Sequence, residues 1–274
     1  MIDLLRLIRA HNLLVAAAGV LAGGWIALGA LAVPHVLAFA ALAAIGFGAA
    51  GNTLNDLWDV AADRVNRPGG ERPLAAGRLR RTTAELCAFL GVLLGVAAAA
   101  LAGGGPVLVG LLALGVMAAY SPALKPRGVV GNVAVAAIAG LPLFYGALAM
   151  GHPAKGVVPW GLAAWIHVGR ELVKDLEDEA GDRVAGRHTL PIRLGRARAA
   201  RVAVVVLATF VLASLLLPWA AGYRTAYFAV AAVAQLVVLL AAGRLRRARI
   251  ERVSLALKLA MVVGIVALVL GRPA

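Results

Sequence analysis

Residues 51–79 read GNTLNDLWDVAADRVNRPGGERPLAAGRL, with Asp56, Asp59 and Asp63 at spacings of three and four. Residues 169–195 read GRELVKDLEDEAGDRVAGRHTLPIRLG and repeat that spacing at Asp175, Asp178 and Asp182. Positions i, i+3 and i+7 share one helical face, so each trio points one way wherever helix continues through it. Together with Glu71, Glu171, Glu177 and Glu179, these residues make up ten of the 13 acids in 274 residues. Three like charges on one face repel, and the arrangement makes sense when a multivalent cation occupies it.

The rest of the chain gives the clusters their setting. It is 62% hydrophobic with a mean hydropathy of +0.89, which suits a bilayer rather than water. A spanning helix needs about 20 apolar residues. The sequence predicts an all-α, polytopic membrane protein with nine such segments, near residues 12–33, 35–54, 84–102, 105–121, 129–150, 157–174, 199–218, 224–243 and 254–271. The first follows Arg6 and Arg9 without a small-residue cleavage site, so it is expected to be a retained helix.

The net charge of +14 does not call for nucleic acid, because 23 of the 27 lysines and arginines fall at one set of helix ends and loops. That bias places the amino terminus and both acidic loops on the cytoplasmic face of the cell membrane, where lipid headgroups satisfy much of the charge. Lys258 stands apart, within the last helix. A single Cys87 excludes an internal disulfide and cysteine-rich metal sites, and the five histidines lack ligand spacing.

Acids at helix ends in such a protein mark function. Oxygen-only ligands select a hard cation such as Mg²⁺, which is held by a few carboxylates plus substrate phosphates. The surrounding cations fit that reading: Arg64, Arg67 and Arg72 after the first cluster, Arg170, Lys174, Arg183 and Arg187 around the second, and Lys125 beside Tyr120 in AYSPALKP. Guanidinium forks match phosphate oxygens, although each arginine also suits simple membrane anchoring. The clusters are offset by 119 residues, Asp63-Arg64-Val65 matches Asp182-Arg183-Val184, and at an offset of 120 Asn12 matches Asn132. Residues 1–125 and 126–245 therefore read as parallel halves of a single domain covering 1–274, with the ninth helix left over.

The run Asn55-Asp56-x-x-Asp59-x-x-x-Asp63, followed by Arg67-Pro68, Arg72-Pro73-Leu74 and Gly77-Arg78, resembles the first signature of the UbiA superfamily of intramembrane prenyltransferases. Lys174-Asp175-x-x-Asp178-x-x-x-Asp182 resembles the second, with Tyr120 through Lys125 and Gly131-Asn132 in support. The resemblance covers nearly the whole chain. It implies a helical barrel with a lateral opening for a lipid tail. Asn55, Asp59, Asp63, Asp178 and Asp182 would hold Mg²⁺ on a prenyl diphosphate donor, and Arg67, Arg72 and Lys125 would bind its oxygens. Asp56 and Asp175 are metal ligands, hydrogen-bond acceptors behind them, or the base; the sequence leaves these open.

By the same resemblance Arg9, Asn12, Asn52, Tyr120, Asn132, Arg170 and Lys174 complete the expected substrate contacts. Gly69-Gly70-Glu71 makes the link between the Arg-Pro pairs longer than in the family pattern, which loosens the assignment of Arg72. Metal and arginines would stabilise the departing diphosphate, while the apolar barrel shields the allylic centre from water.

The second loop is similar to those of the branch that moves geranylgeranyl from its diphosphate to geranylgeranylglyceryl phosphate in archaeal ether-lipid synthesis. An aromatic acceptor of quinone synthesis, 4-hydroxybenzoate or homogentisate, is the alternative within the superfamily. A CDP-alcohol phosphotransferase would need Gly where Val60 stands. A divalent cation transporter, the reading from another class, would place its acids near the midplane rather than at one face.

Overall fold

The computed structural model describes residues 1–30, 35–67 and 69–273. Residues 31–33 of the first expected segment, and Pro68 of the first motif, lie outside the described residues. Nine long helices form among those described: α2 (Ala10–Leu28), α3 (His35–Trp58), α5 (Arg81–Ala102), α6 (Gly104–Ala119), α7 (Val129–Ala149), α8 (Pro153–Glu177), α11 (Arg196–Ala220), α12 (Thr225–Arg246) and α13 (Val253–Leu270). Four short ones accompany them: α1 (Ile2–Leu7), α4 (Val60–Asn66), α9 (Glu179–Val184) and α10 (Leu190–Leu194).

Eight of the long segments are apolar enough to cross a bilayer by composition alone. The remaining one, α8, carries Arg170, Glu171, Lys174, Asp175 and Glu177 in its last two turns. The chain is a multi-pass membrane protein.

Residue size sorts inside from outside. Leu86, Phe89, Leu108, Leu112, Leu216 and Leu240 are all more than half exposed, whereas Ala40, Ala43, Ala50, Ala99, Ala136, Ala147 and Ala203 are fully buried. Lipid solvates large apolar side chains, so small residues take the helix seams. Gly23 of α2 and Gly146 of α7 each face backbone of the other helix, Leu143 and Val20 respectively, at distances that leave no room for a Cβ. Between α3 and α5, a Cβ on Gly46 would come within 2.5 Å of the Gly95 nitrogen.

Neighbouring helices run in contact around the bundle, and α13 closes it against α8 and α2. Enclosed is a cavity of about 1150 Å³. Its walls include Phe47, Leu143, Ile166, Phe210 and Leu268, and its charged mouth includes Arg9, Arg67, Arg72, Arg170 and Lys174.

Candidate active site

Both acidic motifs straddle a break in the helix. Asp59 has φ −93°, ψ 7° between α3 and α4, and Asp178 has φ −96°, ψ 5° between α8 and α9. These values lie in the sparsely populated bridge region, where i+2 residues of tight turns and many active-site residues sit. The helix, whose continuation through each trio the spacing left open, is therefore broken at equivalent points, and α4 packs against α9.

The two breaks are tied to each other reciprocally. Arg187, only 6% exposed, donates to Asp59 Oδ1 at 2.5 Å and to Asp182 Oδ1 at 2.8 Å. In the opposite direction, Arg67 donates to Asp178 Oδ1 at 2.7 Å. The Asn66 carboxamide oxygen adds a third link, accepting the Gly181 N–H at 2.8 Å. Arg67 and Arg187 are 120 residues apart, close to the offset of the aspartates they exchange.

Around the first cluster, Lys125 donates to Asp59 Oδ2 at 2.9 Å and lies 6.0 Å from the centre of the Tyr120 ring. A π-turn over Tyr120–Leu124 and a 3₁₀ turn over Lys125–Arg127 carry it there. Such irregular turns inside helices occur often at functional sites. Asn55 donates to Asp59 Oδ2 at 3.1 Å and to Ser121 Oγ at 2.6 Å.

Arg9 reaches in from the start of α2, donating to Asp56 at 2.5 Å, Asn55 at 2.7 Å and Asn52 at 3.3 Å. Its backbone is left-handed, with φ 54°, a conformation that costs a non-glycine residue about 1–3 kcal/mol and persists only when its surroundings enforce it. Arg72 stands 3.7 Å from both Asp56 and Asp63.

Proton affinities follow the pairing. Burial alone would raise the Asp59 carboxyl, but Lys125 and Arg187 outweigh it and hold Asp59 below the usual carboxylate range. Asp63 goes the other way: burial, helped by the charges of Asp56 and Asp59, lifts it above that range despite Arg72. Arg187 is buried and Arg67 partly so, yet both are held more firmly protonated by the carboxylates they bridge.

Not every expected residue joins this centre. Asp175 is bound instead by Asn132, whose amide donates to its Oδ2 at 2.7 Å in a buried pair. Lys174 and Arg170 turn to Glu171, at 2.8 Å and 3.4 Å. Asn12 accepts from Lys258 at 3.2 Å. Asn66, Ser121 and Lys258 were not among the residues given roles; Arg187 was named only with the cations around the second cluster, and its match to Arg67 across the repeat is the signal that would have given it its partners.

No three acidic, histidine or cysteine side chains converge on one point among the described residues, because cations stand between the carboxylates. The donor set nonetheless suits a hard cation. It offers only oxygens, and Asp56 Oδ2 and Asp182 Oδ2 are buried atoms without a hydrogen-bond partner.

Residues 16–270 match the model of the UbiA prenyltransferase family. The chain is 38% identical over 244 residues to the digeranylgeranylglyceryl phosphate synthase of Thermococcus gammatolerans, which covers 89% of this chain and 87% of that one. In fold it is similar to a UbiA homologue from Aeropyrum pernix, with TM-score 0.79, 20% identity, and 94% and 95% of the two chains covered. It is also similar to a UbiA homologue from Archaeoglobus fulgidus bound to GPP and Mg²⁺, with TM-score 0.73, 18% identity and 97% and 99% covered.

Proposed function

The chain belongs to the UbiA prenyltransferase family, and on that footing we propose that it transfers a geranylgeranyl group from geranylgeranyl diphosphate to geranylgeranylglyceryl phosphate, releasing diphosphate. The observation that carries the reading is the reciprocal bridging of the two acidic motifs, Arg187 to Asp59 and Arg67 to Asp178, beside one cavity with a basic mouth and apolar walls. A diphosphate with a long apolar tail has that distribution of charge and surface. The acceptor follows from the relative named above, at 38% identity over most of both chains.

In this reading Asn55, Asp59 and Asp63 from one motif, with Asp178 and Asp182 from the other, hold Mg²⁺. When bound, the metal supplies positive charge to the diphosphate oxygens as the bond to the prenyl carbon breaks. Arg67 and Arg72, which line the cavity mouth, donate to the remaining oxygens, and Lys125 keeps the Asp59 carboxylate ionised and in place. The apolar wall keeps water from the allylic carbon, so the acceptor hydroxyl rather than water captures it. Asn132 fixes the orientation of Asp175. The matching breaks at Asp59 and Asp178 support two parallel halves meeting at one site within a single domain. The excess of arginine and lysine at the acidic end supports a cell-membrane protein with that end and the amino terminus in the cytoplasm.

The test is transfer from labelled geranylgeranyl diphosphate by the purified protein with Mg²⁺, offering geranylgeranylglyceryl phosphate, 4-hydroxybenzoate and homogentisate separately. Label in a doubly prenylated glycerol phosphate is the expected result. Label on an aromatic ring alone would overturn the acceptor assignment.

A further inference from the structure

Lys258 lies at the sixth position of α13, about 8 Å along the helix from its first residue at a rise of about 1.5 Å per residue. A cation within a spanning helix is costly and faces a partner or a water-filled cavity. Lys258 lines the cavity, together with Asn12 and His11 of α2, Arg170 of α8 and Ser254 one turn earlier on its own helix. Among the described residues it has no carboxylate partner; its one hydrogen bond is to the Asn12 carboxamide oxygen at 3.2 Å. Glu171 also lines this region but is engaged by Lys174 and Arg170.

This positive surface shares the cavity with Arg67 of the reciprocal pairs but stands on other helices. It is built by α2, α8 and α13, which touch one another, whereas Lys125 and Arg187 meet Asp59 outside the cavity lining. Beyond Lys258 the lining face of α13 turns apolar, through Met261, Val262, Ile265 and Leu268. One charged point is thus followed by about 15 Å of hydrocarbon-compatible wall.

We propose that Lys258, with Asn12 and Arg170, is the subsite that binds the phosphate of the acceptor lipid, and that the acceptor's isoprenoid chain runs along the Met261–Leu268 face of α13. The inference rests on the lipid-phosphate reading of the acceptor and adds to it a residue that discriminates acceptors by charge. Arg170 supplies a second donor once the ligand phosphate competes with Glu171, and the Asn12 amide can contribute its N–H₂ group.

The experiment compares wild type, Lys258→Met and Lys258→Arg with two acceptors, geranylgeranylglyceryl phosphate and its phosphate-free glycerol ether, and measures KM for each acceptor and for the donor. Removal of a charge-assisted contact is expected to raise KM for the phosphate acceptor about tenfold or more. KM for the phosphate-free ether and for geranylgeranyl diphosphate should stay within a factor of about two, so the preference for the phosphate collapses. Lys258→Arg should restore most of it. An unchanged acceptor KM in Lys258→Met, or a parallel rise in donor KM, would overturn the subsite. If Lys258→Met fails to fold, Lys258→Gln is scored by the same criteria. Failure of wild type to prenylate the lipid phosphate would instead overturn the acceptor reading itself, and the subsite with it.

Discussion

Arg187 and Asp59, 128 residues apart, form a buried ion pair at 2.5 Å that fastens the second acidic motif to the first. The same guanidinium also holds Asp182 at 2.8 Å. One positive side chain therefore shares two carboxylates that the proposed mechanism gives to Mg²⁺. Removing one partner of a buried pair leaves charge uncompensated, at a cost of roughly 3–5 kcal/mol; Asp59 keeps Lys125, but Asp182 loses its one ion-pair partner among the described residues. Arg187→Met should lower the thermal midpoint of the metal-free protein by several degrees, and Mg²⁺ with diphosphate should recover part of the loss. An unchanged midpoint would mean that the pair contributes nothing to holding the motifs together.

Asp63 sets a pH dependence. Burial holds its carboxyl above the ordinary range, so it retains a proton at pH values where free carboxylates have lost theirs, and that proton competes with a cation. The Mg²⁺ concentration giving half-maximal transfer should rise as pH falls from neutrality toward the ordinary carboxylate range. Asp63→Asn should weaken Mg²⁺ use and flatten this rise. Asp59 does not contribute in that window: its depressed value keeps it ionised, and the stability from its ion pairs is present above the ordinary carboxylate range and lost only as pH falls through the lowered value. A flat Mg²⁺ requirement for the unaltered protein across the interval would contradict the assignment of Asp63.

Asn132 and Asp175 test orientation apart from metal binding. Their 2.7 Å contact is buried, with 4% and 7% of the two residues exposed. Asn132→Ala strands a buried carboxylate oxygen and should cost about 1.5–3 kcal/mol. The double variant with Asp175→Asn should lose less than the sum of the two single losses, a coupling readable from unfolding midpoints. Strict additivity would show that the contact carries no energy.

Gly146 marks the tight seam between α2 and α7, where an added Cβ would collide with the Val20 carbonyl. Gly146→Ala should destabilise by about 1–3 kcal/mol through forced separation of the helices. Gly243 on α12 has no heavy atom within 4 Å of an added Cβ, so Gly243→Ala should leave the midpoint unchanged or slightly raised. Equal effects at the two positions would contradict the close-packed seam.

Hydropathy made the nine helices legible because lipid demands long apolar runs, and most predicted boundaries lie within a few residues of the observed ones. For α8, the charges from Arg170 to Glu177 obscure the end of the span, and the acidic motif located it instead. Spacing also drew attention to Asp59, Asp63, Asp178 and Asp182, but it left open whether helix continues through them, and the backbone turns at Asp59 and Asp178. That turn depends on contacts between the halves, which linear spacing does not encode. The bridge from Arg187 to Asp59 was hidden for the same reason: among 27 lysines and arginines, anchoring the chain in the membrane accounts for any one of them until its partner 128 residues away is known. The ion pairs between the carboxylates were likewise invisible, since charge repulsion within each motif was read as calling for a multivalent cation and did not point to arginine and lysine side chains.

The central claim is that both motifs act on one diphosphate, and direct binding of a non-reactive geranylgeranyl diphosphate analogue tests it. Titrated with Mg²⁺ into the detergent-solubilised protein and into Asp59→Ala and Asp178→Ala, the analogue should bind the unaltered chain at one site and lose about tenfold or more in affinity in each variant. Full affinity in either variant, with the protein folded, would mean that its motif does not hold the donor and would contradict the account.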